Sequence, residues 1–291
     1  MRRPGRGAAR APARLCAALA FAAGFVAVAA CSPAAGHGRP TGAASADLLT
    51  GTDAWAPLRR TMVERQIRAR GVDSEAVLAA MEKVPRHLFV PRPLHPFAYA
   101  DRALPIGDGQ TISQPYVVAL MSELLDLDAG DRVLEIGTGS GYHAAVMSRI
   151  AGEVYSIEIL PALAFGAEST LGRLGYDNVH VRLGDGYCGW PEAGPFDAVV
   201  LTAAPPVVPR PLLDQLAIGG RLVAPVGESG SPQELIRIVR RPDGYTEERV
   251  SYVHFVPMTG QAARPFDPDA AGEAGEGLQS CDPDDPAEVR R

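Results

Sequence analysis

Val133-Leu134-Glu135-Ile136-Gly137-Thr138-Gly139-Ser140-Gly141 joins a short apolar strand to a turn of alternating glycines that opens a helix. In such a turn the first backbone N–H groups of the helix face a ligand, and the missing side chains let it approach closely. Glu158 ends the next apolar stretch, 21 residues after Gly137, where an acid suits the ribose hydroxyls of a nucleotide-like cofactor. A dinucleotide fingerprint would need glycine at 142, where Tyr142 stands, and no Lys-Ser/Thr pair follows to make a phosphate-binding P-loop. A carboxylate ahead of the glycines, Glu135, suits a ligand with sulfonium and ammonium groups and no phosphate, namely S-adenosylmethionine. A structural turn is the plainer alternative, and the two acids together argue against it. Gly184-Asp185-Gly186 follows a later strand. Asp185 there either accepts from an adenine amino group or closes an Asp-Gly turn, and spacing does not choose between them.

Outward from this loop, strands alternate with helices. Strands are predicted at 132–136, 154–157, 179–183, 198–201 and 221–225, with helices near 140–150 and over 161–174. A closing strand pair is expected at 235–240 and 249–256. This order implies a mostly parallel, doubly wound sheet covered on both faces, a Rossmann-like α/β fold. Before it, residues 55–70 carry Leu58, Met62, Val63 and Ile67 at helical spacing and stop at Gly71. Asp73 can cap a helix over 74–84, and another is predicted over 115–127 with Pro115 in its first turn. The Pro- and Gly-rich stretch 85–112 reads as irregular. Residues 53–128 thus form an N-terminal helical extension to a core at 129–260.

Both ends differ from this body. Residues 1–31 carry five arginines by position 14, then an apolar run from Leu15 to Ala30, ending in Val28-Ala29-Ala30-Cys31. Sixteen apolar residues are short for a membrane span and suit a signal peptide. The ending resembles a bacterial lipoprotein box, with lipidation expected at Cys31 and a periplasm-facing membrane anchor as the consequence. The competing reading is a misplaced start codon, with Met62 at or near the true start and a cytoplasmic location. Residues 32–52 read as a linker and 261–291 as a disordered acidic tail, with eight acids against three arginines. The body at 41–260 holds 19 basic and 26 acidic residues, which leaves no electrostatic footprint for nucleic acid. Cys16 and Cys31 fall in the signal and Cys281 in the tail. With Cys188 alone in the body, neither a disulfide framework nor a cysteine metal site is expected. The six histidines lack ligand spacing, so no metal is expected either.

Gly109-Gln110-Thr111-Ile112-Ser113-Gln114-Pro115, the Glu135–Tyr142 loop, Gly184-Asp185-Gly186, Thr202-Ala203-Ala204-Pro205-Pro206 and Pro225-Val226-Gly227 follow one another in order. With Met62-Val63-Glu64-Arg65-Gln66, Val84-Pro85-Arg86 and Phe255-Val256-Pro257, they resemble the protein-L-isoaspartate (D-aspartate) O-methyltransferase family over about residues 55–260. His143, directly after the loop, matches no fixed position of that pattern. The resemblance implies an S-adenosylmethionine-dependent methyltransferase fold and methyl transfer to the free carboxyl of isoaspartyl and D-aspartyl residues in damaged proteins. The ester then cyclises to a succinimide that opens partly to normal aspartate. The resemblance also implies an active-site role for Ser113 and cofactor binding by Glu135, Gly137, Thr138, Gly139, Ser140, Gly141, Glu158, Asp185 and Gly186. Thr111, Ile112, Thr202, Ala203, Ala204 and Val256 would border the peptide, and a monomer is expected.

Four alternatives to these assignments stay open. Ser113 can instead cap the helix that follows, and Arg86 and His87 read as surface residues before substrate contacts. A methyltransferase for a different carboxylate would share the cofactor loop but not the GQTISQP string. A silent lipoprotein keeping the fold would be marked by loss of Glu135, Glu158 or Ser113, and all three are present.

Overall fold

A computed structural model describes residues 53–263 and Cys281, and all of them fall within one compact unit. The chain enters through helix α1 (Ala56–Met62), which widens into a π-turn at Val63–Ile67 and ends in a 3-10 turn at Arg68–Arg70 before Gly71. Helix α2 (Glu75–Lys83) is capped by Ser74, whose Oγ accepts from Val77 N at 3.4 Å, so the cap belongs to Ser74 and not to Asp73. Asp73 N and Ser74 N instead donate to the Glu123 carboxylate, each at 2.7 Å.

The stretch 85–112 is more ordered than its composition suggests. Two 3-10 segments, Arg86–Phe89 and Arg92–Phe97, lead into strands β1 (Leu104–Gly107) and β2 (Gln110–Ile112), paired antiparallel. Their tip, Asp108-Gly109, has φ of 49° and 72°, the left-handed pair that two-residue hairpins require. This hairpin delivers residues 110–113 to the start of helix α3 (Pro115–Leu125).

The core then alternates as expected. Strand β3 (Arg132–Ile136), helix α4 (Tyr142–Met147), strand β4 (Glu153–Glu158), helix α5 (Pro161–Arg173), strand β5 (Val179–Leu183) and strand β6 (Phe196–Leu201) follow in order. Helix α6 (Arg210–Asp214) precedes the long strands β7 (Leu216–Val226), β8 (Gln233–Arg241) and β9 (Gly244–Val253). One seven-stranded sheet runs β5-β4-β3-β6-β7-β8-β9. Its first five strands are parallel, and β7, β8 and β9 close it antiparallel. The chain winds outward from β3 through β4 to β5, then returns to β6 on the other side. The C-terminal edge of β3 is therefore the reversal point at which such sheets bind ligands.

Apolar faces fix this arrangement. Met62, Leu78 and Met81 of the helical extension are buried against Tyr142, Val146 and Leu171 of α4 and α5. Val133, Val154, Ala198 and Val223 fill the layer between the sheet and α3. Each such fully buried aliphatic side chain contributes roughly 1.5–3 kcal/mol of transfer free energy.

Arg86 departs from the surface reading: it is fully buried. Its Nε donates to Ala98 O at 2.8 Å and its Nη2 to Ser113 O at 2.7 Å, with the guanidinium over the Tyr142 ring. Burial pushes its pKa down. Ala98 follows a 3-10 segment and Ser113 follows the last residue of β2, so no ladder reaches these carbonyls and a buried cation supplies the donors. His87 is buried too, with Nδ1 2.7 Å from Tyr99 Oη and its ring stacked on Trp55. An Arg86→Met protein is expected to lose about 2–4 kcal/mol in urea denaturation, since one buried and one part-buried carbonyl lose charge-assisted donors. Unchanged stability would mean that those carbonyls find other donors.

The described residues also correct the reading of the cysteines. Cys188 is disulfide-bonded to Cys281, 93 residues away. The acid-rich composition around Cys281 hides this link to the body. The signal segment and Cys31 lie outside the described residues.

Candidate functional site

At the C-terminal edge of β3, β4 and β6 lies a cleft of about 840 Å3, partly open to solvent. Its floor is the glycine turn. Gly137 has φ of 99°, and a side chain there would collide with Thr202 Oγ1. Thr202 Oγ1 donates to Gly137 O at 2.5 Å, tying β6 to the turn. On β4, Glu158 Oε2 accepts from Gly139 N at 2.8 Å and Oε1 from Leu160 N at 3.0 Å. This buried carboxylate holds the turn in shape while lining the cleft.

Glu135 sits deeper, fully buried on β3. Ser156 Oγ donates to its Oε2 at 2.5 Å and lies 2.6 Å from Thr138 Oγ1. Its Oε1 has no hydrogen-bond partner among the described residues. Burial pushes its carboxyl up to about 8, against the lowering effect of Ser156, and the nearby Glu158 adds to the rise. His143 on α4 also lines the cleft, with Nε2 3.0 Å from Ser122 Oγ. Burial holds its ring down at about 4, so it is neutral at neutral pH. His143 Nδ1 lies 4.0 Å from Glu135 Oε1. That is too long for a hydrogen bond, and with both groups uncharged it is no ion pair. A cationic ligand group near Glu135 Oε1 would satisfy the orphaned oxygen and favour its ionised form. The residues present therefore fit a sulfonium- and ammonium-bearing cofactor.

The opposite wall comes from elsewhere in the chain. Thr111, Ile112 and Ser113 arrive from the β2 end, and Thr202, Ala203 and Val256 from the far side of β3. Ser113 is not the helix cap: the N-cap of α3 is Gln114 and no side chain caps that helix. Ser113 Oγ makes no hydrogen bond among the described residues, while its carbonyl is held by Arg86. Asp185 lines the cleft, yet both its oxygens serve backbone: Oδ1 accepts from Tyr187 N at 2.9 Å and Oδ2 from Gln261 N at 2.7 Å. The turn reading of Asp185 thus holds whatever else it binds. Gly186 packs against Ile136 in the same cleft, with Thr138 and Ser140 in the loop beside it.

Two residues named from the sequence stand behind the cleft. Gly141 is the N-cap of α4 and packs on Ala167 and Leu171. Ala204 is buried and clamps the last wall, its N–H donating to Val256 O and its carbonyl accepting from Met258 N, both at 2.8 Å. Ser156 and His143 were not singled out as site residues. A small polar residue in the apolar strand Val154-Tyr155-Ser156-Ile157 was the available signal for the first. Among the described residues no group of histidines, cysteines and acids could hold a metal ion.

The family described as "Protein-L-isoaspartate(D-aspartate) O-methyltransferase (PCMT)" matches residues 58–263. A protein-L-isoaspartate O-methyltransferase of Gloeobacter violaceus is 57% identical over 198 residues, covering 68% of this chain and 97% of that protein. One from Methanoculleus marisnigri is 54% identical over 203 residues, covering 70% and 92%. A solved protein-L-isoaspartate O-methyltransferase superposes with a TM-score of 0.63 at 33% identity, over 69% of this chain and 66% of that one. A Plasmodium falciparum structure assigned to the same family, in complex with S-adenosyl-L-homocysteine, gives 0.60 at 26% identity, over 69% and 98%. The chain therefore belongs to the protein-L-isoaspartate (D-aspartate) O-methyltransferase family.

Proposed function

We propose that the cleft over β3 is the reaction site, with the methyl donor on the Glu135–Glu158 side and the isoaspartyl peptide entering between Ser113 and Val256. The chain is an S-adenosylmethionine-dependent protein-L-isoaspartate O-methyltransferase. One observation carries the placement: two buried acids and a glycine turn meet Ser113, Thr111 and Ile112 across a single cleft at the sheet's reversal point. Glu158 takes the ribose hydroxyls, and Glu135 faces the cationic part of the cofactor. Gly137, Gly139 and Ser140 present backbone, Thr138 supports Glu135 through Ser156, and Asp185 with Gly186 borders the adenine. Gly141 and Ala204 act by packing. Thr202 and Ala203 edge the peptide channel.

When bound, S-adenosylmethionine supplies an electrophilic methyl group on a sulfonium. The isoaspartyl carboxylate ionises near pH 4 and is already a nucleophile at neutral pH, so no side chain needs to remove a proton. Catalysis by the chain then rests on placement, which can supply up to about 7–11 kcal/mol of a barrier. Ser113 Oγ, with no hydrogen-bond partner among the described residues, donates to one substrate carboxylate oxygen and orients the other. Arg86 holds the backbone that carries it. A Ser113→Ala enzyme is expected to lose about 10- to 100-fold in kcat/KM for an isoaspartyl peptide, with cofactor affinity kept. Equal loss of cofactor affinity would move Ser113 to the donor side, and unchanged turnover would remove it from the reaction.

Export with lipid attachment at Cys31 is the reading that charge, apolar run and cysteine box support together. Among the described residues no helix is long and apolar enough to cross a membrane. A start at Met62 would delete Arg59, which is buried and donates to Glu82 O at 2.7 Å, and Trp55, which stacks on His87. That cost favours a start upstream of α1.

A further inference from the structure

The half-buried pair Cys188 and Cys281 lies outside the chemistry above. Their Cα atoms are 5.4 Å apart, a spacing a disulfide spans without backbone movement. Cys188 ends the turn Gly186–Cys188, three residues after the cleft-lining Asp185. The same turn is gripped twice more. Asp185 Oδ2 accepts from Gln261 N, in the turn Gly260–Ala263, and Cys188 O accepts from Gln215 Nε2 at 2.7 Å. The bond thus closes a covalent ring from 188 to 281 whose junction sits beside the cofactor cleft. The other two cysteines, Cys16 and Cys31, precede the described fold, and Cys31 ends the apolar run of the N-terminal segment. Disulfides persist in oxidising compartments and are rare where thiol buffers keep cysteines reduced. The signal-like order of arginines, apolar run and cysteine box in the sequence and the closed cysteine pair in the fold are separate observations. Read as export and as oxidation, they point to one compartment.

We propose that the Cys188–Cys281 disulfide is a modification installed after export, and that it braces the Asp185 turn against the cofactor cleft. The second half rests on the cofactor reading given above. Formation is thiol–disulfide exchange with a protein or small-molecule disulfide of the compartment. One cysteine thiolate attacks that disulfide and gives a mixed disulfide, releasing one donor thiol. The second thiolate then displaces the other donor sulfur. The two cysteines give up two electrons and two protons in all, and the donor disulfide becomes two thiols. In the reduced chain, Asp185 keeps its bond to Gln261 but the ring opens and the turn has more conformations to lose on binding.

The test uses the full chain in a bacterial host, quenched in acid at harvest and treated with a mass-adding maleimide with and without prior reduction. Cys188 and Cys281 are expected to react only after reduction. S-adenosylhomocysteine affinity is then measured for the oxidised chain, the reduced chain and a Cys281→Ser chain. Reduction and the substitution are each expected to weaken binding roughly three- to tenfold, and the variant is expected to ignore reductant. Labelling without reduction overturns the proposal, as does equal affinity in all three forms, which leaves the cofactor reading intact. Absence of binding in every form of a folded chain removes the cofactor reading and the proposal with it.

Discussion

Replacing Glu158 by alanine is expected to weaken S-adenosylhomocysteine binding by about 100- to 1000-fold in calorimetry. The size follows from what the carboxylate does. Both oxygens hold the glycine turn through Gly139 N and Leu160 N, and the same group lines the cleft. Hydrogen bonds to a charged group are worth roughly 1.5–3 kcal/mol each, and every 1.4 kcal/mol is about tenfold in affinity. A Glu158→Gln protein keeps one acceptor and should fall between the two. A loss below about fivefold for the alanine variant would show that the turn keeps its shape alone and that Glu158 does not meet the ligand.

Glu135→Gln is expected to separate stability from binding. With Glu135 pushed up to about 8 by burial, the folded chain keeps that proton where the unfolded chain releases it near 4.5. For an acid whose folded pKa is raised, unfolding releases a proton between these values. Stability therefore declines as pH rises from about 4.5 and levels off past about 8. Glutamine carries no such proton, so the variant should be more stable than the parent at pH 8, by roughly 2–4 kcal/mol. The difference should shrink toward zero by pH 5 in urea denaturation. Binding runs the other way. In the parent, affinity for the cationic ligand should rise between pH 6 and 8 with release of fewer protons, and in the variant it should be weak and flat. A stability difference independent of pH would mean that Glu135 is ionised in the folded chain. On the proposed placement, the acid is held at a stability cost and its charged form meets the cationic ligand.

Much of this was legible in the residues. Strands over 132–136 and 179–183 were read at their observed bounds because an apolar run between turn signals has few other solutions. Glu135 and Glu158 stand out in the sequence because acids at strand ends beside a glycine turn are unusual, and both line the cleft. The stretch 85–112 failed on composition: many prolines and glycines hid a hairpin that Asp108-Gly109 announces. Arg86 failed for a related reason. Charge argues for the surface, but carbonyls of a buried segment without a ladder need a donor, and which segment that is depends on tertiary structure. The Cys188–Cys281 pair was out of reach because spacing across 93 residues carries no pairing information. Cys281 also lies in a Pro-, Gly- and acid-rich stretch whose composition reads as a separate tail.

The central claim is tested most directly by supplying the full chain with radiolabelled S-adenosylmethionine and two peptides differing only in isoaspartate or aspartate at one position. Base-labile methyl transfer to the isoaspartyl peptide alone, abolished in Glu158→Ala, is the predicted result. Equal transfer to both peptides, or none to either with cofactor binding intact, would contradict the account.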